Sequence, residues 1–264
     1  EKLLVDSNIE AEDISIYFVN SNQVNAFVTG GTNIFINTEL IIQANDYREY
    51  AAVIAHELAH ILGGHVFRTS EEISNISGKA MPIYLLGILG LITGATEAGF
   101  AGVMVGQAAV TDTFTYHSRT QEAAADQKAV SILCSSMINA SYLASFLESL
   151  EESASNIEPK NKNYRSTHPL PQNRINWIEL AMNNKENCDF EKDEVLEERF
   201  DLLKAKLFGF THSHNETKAV YDRNDNKGLY ANAVSSYLNG DHKKSIESLK
   251  KLIENNNNNP FFKE

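Results

Sequence analysis

The five residues His56-Glu57-Leu58-Ala59-His60 restrict this chain more than any other stretch. They lie in a run from Tyr47 to Leu62 with neither proline nor glycine, which reads as one helix. Residues four apart on a helix stand one above the other. His56 and His60 therefore offer two imidazoles to one metal ion, and Glu57, rotated away from them, can reach a water on that metal. Ala52, Ala55, Ala59 and Leu62 would bury the rest of the helix. The plainer alternative is two core histidines bonded to backbone acceptors. H-E-x-x-H on a helix favours one Zn2+ per chain.

Ahead of this helix the sequence predicts a small sheet. Ile14–Val19, Val24–Thr29 and Ile34–Asn37 are rich in β-branched and aromatic residues, and Gly30-Gly31-Thr32-Asn33 is a hairpin signal. The last strand is expected to have a free edge. Behind the helix, His65 falls one position short of the third ligand of an H-E-x-x-H-x-x-G-x-x-H pattern, where Val66 stands instead. It is read as a structural residue or a partner to a ligand, not as a ligand. Residues 80–110 form two apolar blocks broken by Thr93–Gly99, too interrupted for a spanning helix of about twenty residues. They read as a buried helix pair, with a flap or a membrane-touching surface as the alternative.

Glu122 and Asp126 share a face of an alanine-rich helix, and two acids one turn apart repel. A nearby cation relieves that cost. Glu122 can supply a third zinc ligand, and Asp126 can hold the free ring nitrogen of a ligating histidine. Leu143–Glu152 continues as amphipathic helix, and Ser153–Arg165 reads as a polar loop. Beyond it, Thr167-His168-Pro169-Leu170-Pro171 is a stiff extended entry to a helix that begins near Asn173 and carries Arg174 and Trp177. Cys134 and Cys188, the two cysteines, are either one disulfide or two buried thiols.

The fold class expected is α+β, mainly helical: a zinc-peptidase domain over 1–187, a helical connector over 188–228, and a helix pair over 229–264. In that last segment two short helices flank Gly240-Asp241, with Pro260 after them, which looks like a first tetratricopeptide repeat. One repeat alone is marginal, so the chain reads as trimmed, a fragment of a longer protein. It opens at Glu1 with no signal peptide visible. A net charge of -12 with no Lys/Arg-rich run excludes nucleic acid as a partner.

His-Glu-Leu-Ala-His at 56–60, Glu-Ala-Ala-Ala-Asp at 122–126 and the Thr167–Ile175 segment occur in an order that resembles the gluzincin metallopeptidases of the CAAX-prenyl-protease type. The resemblance is closer to their periplasmic bacterial branch, which carries tetratricopeptide repeats and acts in outer-membrane protein quality control. It implies that His56, His60 and Glu122 bind zinc, that Glu57 is the catalytic acid/base, and that Asp126 supports a ligating histidine. It implies that His168 can approach the metal as a fourth ligand and hold the enzyme latent, and that Arg174 lines the active site. His168 and Arg174 are both candidates for steadying the oxyanion. Asn25-Ala26-Phe27 resembles the edge strand that takes substrate as an added strand. The substrates implied are unfolded or misassembled proteins, and the repeat would recruit a protein partner. Membrane members of the family have spanning helices where this chain has 80–110, which is too interrupted to carry that over and leaves membrane proximity as the alternative there. The rival reading is a non-catalytic, zinc-stabilised scaffold; a membrane-embedded prenyl-protein protease is disfavoured by the broken apolar segment.

Overall fold

The computed structural model describes residues 2–7, 9–29, 31–65, 119–152, 164, 168, 173–183, 188, 190–222, 224–255, 259 and 262. The expectations for 80–110, and most of those for the segment 165–172, lie outside them.

Three strands form as the sequence indicates: β1 (Ser15–Val19), β2 (Ala26–Thr29) and β3 (Asn33–Asn37). β2 turns back antiparallel onto β3, with Ala26 opposite Ile36, and β1 joins the far side of β3 in parallel, with Ile16 beside Ile34. The order is β1-β3-β2. This corrects the expected free edge on the last strand: β3 is central, because the tight turn commits one side of it to β2 and leaves the other for β1. Tyr17, Phe35 and Phe27 form a ladder of stacked rings across all three strands, with centroids 5.0 and 5.3 Å apart. Such cross-strand pairs fix the register. The opposite face presents Ala26, Ile34 and Ile36, all fully buried.

The helices follow as α1 (Thr38–Gln43), α2 (Tyr47–Leu62), α3 (Arg119–Ser135), α4 (Ser141–Glu152) and α5 (Asn173–Asn183). They continue as α6 (Glu194–Thr211), α7 (His214–Val220), α8 (Asn226–Leu238) and α9 (His242–Asn255). The chain divides into two compact units, Glu1–Asn37 with Arg48–Phe190, and Thr38–Tyr47 with Glu191–Glu264. In the first, every residue of α2 from Ala52 to His60 is buried. A helix buried all round is a core helix, and its alanines keep it slim. α5 packs on α3 and α4, with Ile178 fully buried. Cys134 and Cys188 are disulfide-bonded, their Cα atoms 5.0 Å apart, which settles the alternative left open by the sequence.

In the second unit α1 packs on α6, and α8 on both α6 and α9. Asp193 caps α6 by accepting from the Val195 and Leu196 amides, which satisfies donors that a helix start leaves orphaned. Leu202, Leu229, Tyr230, Leu252 and Phe262 form the core of this unit. None of the described helices is long and apolar enough to cross a membrane.

Candidate active site

Four elements of the first unit bring seven side chains together, all 0–1% exposed. α2 supplies His56, Glu57 and His60; α3 supplies Glu122 and Asp126; α5 supplies Arg174. His168 arrives between α4 and α5, its amide donating to the Tyr164 carbonyl at 2.7 Å. The structure brings together the residues that helical spacing singles out, His56, Glu57, His60, Glu122 and Asp126, with His168 and Arg174, which the resemblance adds. Ala59 and Ala125, small neighbours of these side chains, are themselves buried.

Nitrogen and oxygen atoms crowd one point. His56 Nε2 is 3.0 Å from His60 Nε2, 3.3 Å from His168 Nδ1 and 3.4 Å from Glu122 Oε2. Glu122 Oε1 is 3.3 Å from His60 Nε2 and 3.2 Å from His168 Nδ1. Ligands held at zinc's bond lengths in a tetrahedron lie about 3.3–3.5 Å from one another. The four side chains thus suit a zinc ion, since each offers one ligand atom and these atoms all lie within 4.8 Å of one another. Buried nitrogens facing each other at 3.0 Å are stabilised by a shared cation.

The outward atoms of these rings also have partners. His56 Nδ1 lies 3.0 Å from Asp126 Oδ1, and His168 Nε2 lies 3.3 Å from the Ala26 carbonyl. The Asn37 amide donates to the Asn25 carbonyl, which makes Ala26 and Ile36 a non-hydrogen-bonded pair of the ladder. The Ala26 carbonyl therefore points out of the sheet's β2 edge, towards His168. Among the described strands, β2 pairs only with β3.

Arg174 donates through Nε and Nη2 to the two oxygens of Asp126, at 2.8 and 2.7 Å. Its Nη1 lies 2.9 Å from Glu122 Oε2. One guanidinium thus bridges the two acids that the sequence sets one turn apart. Burial pushes both carboxyls up, but His168 and the other histidines hold Glu122 well below the usual range, and Arg174 with His56 holds Asp126 low. Burial works against a charged His56, yet its contacts with Asp126 and Glu122 raise it to about 9. Glu57 differs. Neither of its oxygens has a hydrogen-bond partner, although Oε1 lies 3.3 Å from His168 Nε2. Burial raises its carboxyl above the ordinary value, opposed by His168 and His56. A carboxyl so placed is suited to exchanging protons.

Two participants escaped the sequence. Tyr164, fully buried, lays its ring against His168 with centroids 4.8 Å apart; it lies in a polar stretch whose composition signals only loop. The Ala26 carbonyl is main chain, and only the strand register gives its direction.

The sequence model of peptidase family M48 matches residues 1–181. The beta-barrel assembly-enhancing protease of Yersinia pestis is 28% identical over 177 residues, 66% of this chain and 35% of that protein. Its namesake in Escherichia coli (strain K12) is 24% identical over 215 residues, 80% of this chain and 42% of that protein. The mitochondrial metalloendopeptidase OMA1 of Bos taurus is 26% identical over 205 residues, 70% of this chain and 37% of that protein. The chain thus spans between 35% and 42% of the length of these relatives. With a match over more than half its length, and with a buried His, His, Glu and His set that fits the metal, the chain belongs to peptidase family M48, the zinc metallopeptidases.

Proposed function

We propose that this chain is a zinc-dependent endopeptidase that hydrolyses peptide bonds of unfolded or misassembled proteins, outer-membrane proteins among them; two of the relatives are named beta-barrel assembly-enhancing protease. The observation that carries the reading is Glu57, a buried carboxyl without a hydrogen-bond partner beside four metal-ligating side chains. A site that only stabilised the fold would have no use for it. His56, His60 and Glu122 would hold the metal, and in a latent form His168 would be a fourth ligand. When bound, zinc supplies Lewis acidity and brings the pKa of water to about 7. Glu57 takes a proton from the attacking water and later delivers it to the leaving amine. Asp126 holds His56 by its outer nitrogen, the role carboxylates commonly play behind a ligating imidazole. All three kinds of nitrogen on Arg174 face carboxylates, so we assign Arg174 to fixing Glu122 and Asp126.

His168 also supports latency. With Nδ1 among the ligand atoms and Nε2 on the Ala26 carbonyl, it fills a metal position and engages the acceptor that an added substrate strand along Asn25-Ala26-Phe27 would use. Backbone pairing selects for extended, unfolded chain more than for side chains, which suits removal of misassembled proteins. The Cys134–Cys188 disulfide supports an oxidising compartment such as the periplasm. The α8–α9 pair, read as a tetratricopeptide repeat, would recruit a protein partner.

The test is degradation of casein by the zinc-loaded chain and by Glu57→Gln. Cleavage by the parent chain alone establishes the peptidase and the role of Glu57. With no cleavage by either, His168→Ala decides: activity gained identifies a latent enzyme, whereas continued inactivity favours the zinc-stabilised scaffold. Where the parent is active, His168→Ala is expected to raise turnover; lower or unchanged turnover counts against latency.

A further inference from the structure

α2 ends at Leu62, where the Gly63 amide still donates to Ala59 and the Gly64 amide to Ile61. Gly64 then takes φ +63°, a left-handed conformation that favours glycine. The chain doubles back and delivers His65, 5% exposed, onto the last turn of the helix it has just left. A Cβ on Gly63 would come within 2.5 Å of His65 Nε2, so only glycine leaves room for the ring there. The result is a contact between His65 Nδ1 and His60 Nδ1 at 3.0 Å, the rings edge to face at 76°.

The tautomers follow from this geometry. His60 Nε2 faces His56 Nε2 and Glu122 Oε1, so a ligating His60 presents its lone pair there and carries its proton on Nδ1. That proton points at His65 Nδ1, which must then be an acceptor, leaving the proton of His65 on Nε2. We propose that His65 is a positioning residue: it accepts the His60 Nδ1–H and so fixes the tautomer and orientation of that zinc ligand, as Asp126 does for His56 and the Ala26 carbonyl for His168. The Gly63-Gly64 turn is the device that brings it there. This rests on the reading of His60 as a ligand.

The test measures zinc affinity by competition with a chelating indicator for the parent chain, His65→Leu and His65→Asn, alongside melting in chelator to register folding. His65→Leu is expected to bind zinc about 10–100-fold more weakly, the usual effect of losing a ligand's outer partner. His65→Asn places an amide oxygen near the Nδ1 position and is expected to restore most of that loss. Equal affinity in the parent and His65→Leu overturns the inference alone; a parent that binds no zinc overturns the site reading and the inference with it. Nitrogen-15 spectra of the histidines in the zinc-loaded parent need no variant. A proton on His65 Nε2 and on His60 Nδ1 supports the assignment, and a proton on His65 Nδ1 overturns it.

Discussion

Replacing Arg174 with methionine keeps most of the side chain's length and removes its charge. Arg174 is 1% exposed and meets two buried carboxylates through contacts of 2.7, 2.8 and 2.9 Å. Deleting it leaves Glu122 and Asp126, one turn apart on α3, without the guanidinium that bridges them. Removing one partner of a buried ion pair costs about 3–5 kcal/mol, because the remaining charge cannot be resolvated. For a chain of this size about 1 kcal/mol moves the melting point by about 2–4 °C, so the metal-free variant should melt about 6–20 °C lower. Zinc should recover part of the loss by neutralising Glu122. Adding Asp126→Asn should also recover part, since it removes one of the two stranded charges. Lysine should fall between arginine and methionine, because a point charge cannot serve both carboxylates as a fork does. Thermal unfolding followed by circular dichroism, with and without zinc, measures all of this. A metal-free Arg174→Met that melts with the parent but turns over substrate poorly would refute the reasoning, and would return Arg174 to the oxyanion.

Two further perturbations probe the frame around the site. Reducing the Cys134–Cys188 bond, or replacing both residues with serine, releases a 54-residue loop, which the chain-entropy relation values at about 4 kcal/mol. The urea midpoint should fall accordingly, and an unchanged midpoint would show that the crosslink adds nothing to stability. Gly209→Ala would put a Cβ 2.5 Å from the Ala231 carbonyl, where backbone of α6 meets backbone of α8. Overpacking of that kind costs about 1–3 kcal/mol, so amide exchange should quicken in these two helices; parent-like exchange would show that they can part without cost.

Much of the site was legible because its chemistry follows helical spacing. His56 and His60, and Glu122 and Asp126, are each four apart, and the repulsion within the acid pair pointed to a cation. What spacing could not give was the cation's identity on the Asp126 side, since Arg174 lies 48 residues further on and only the packing of α5 on α3 brings it in. His65 shows another limit. Counting positions along a helix removed it from the ligand set, but the helix stops at Leu62 and the left-handed Gly64 turns the ring back to His60. The strands themselves were readable from their β-branched and aromatic content. Their order was not, because three short strands of similar character leave open which edges meet, and the hairpin turn determines only one of the two pairings.

Everything proposed for this site depends on His56, His60 and Glu122 holding one zinc ion. Calorimetric titration of zinc into the metal-free chain, beside Glu57→Gln and His60→Ala, tests it most directly. One zinc per chain is expected for the parent and for Glu57→Gln. For His60→Ala the expected affinity is weaker by more than about 100-fold, beyond the loss typical of an outer partner. Unchanged stoichiometry and affinity in His60→Ala would contradict it.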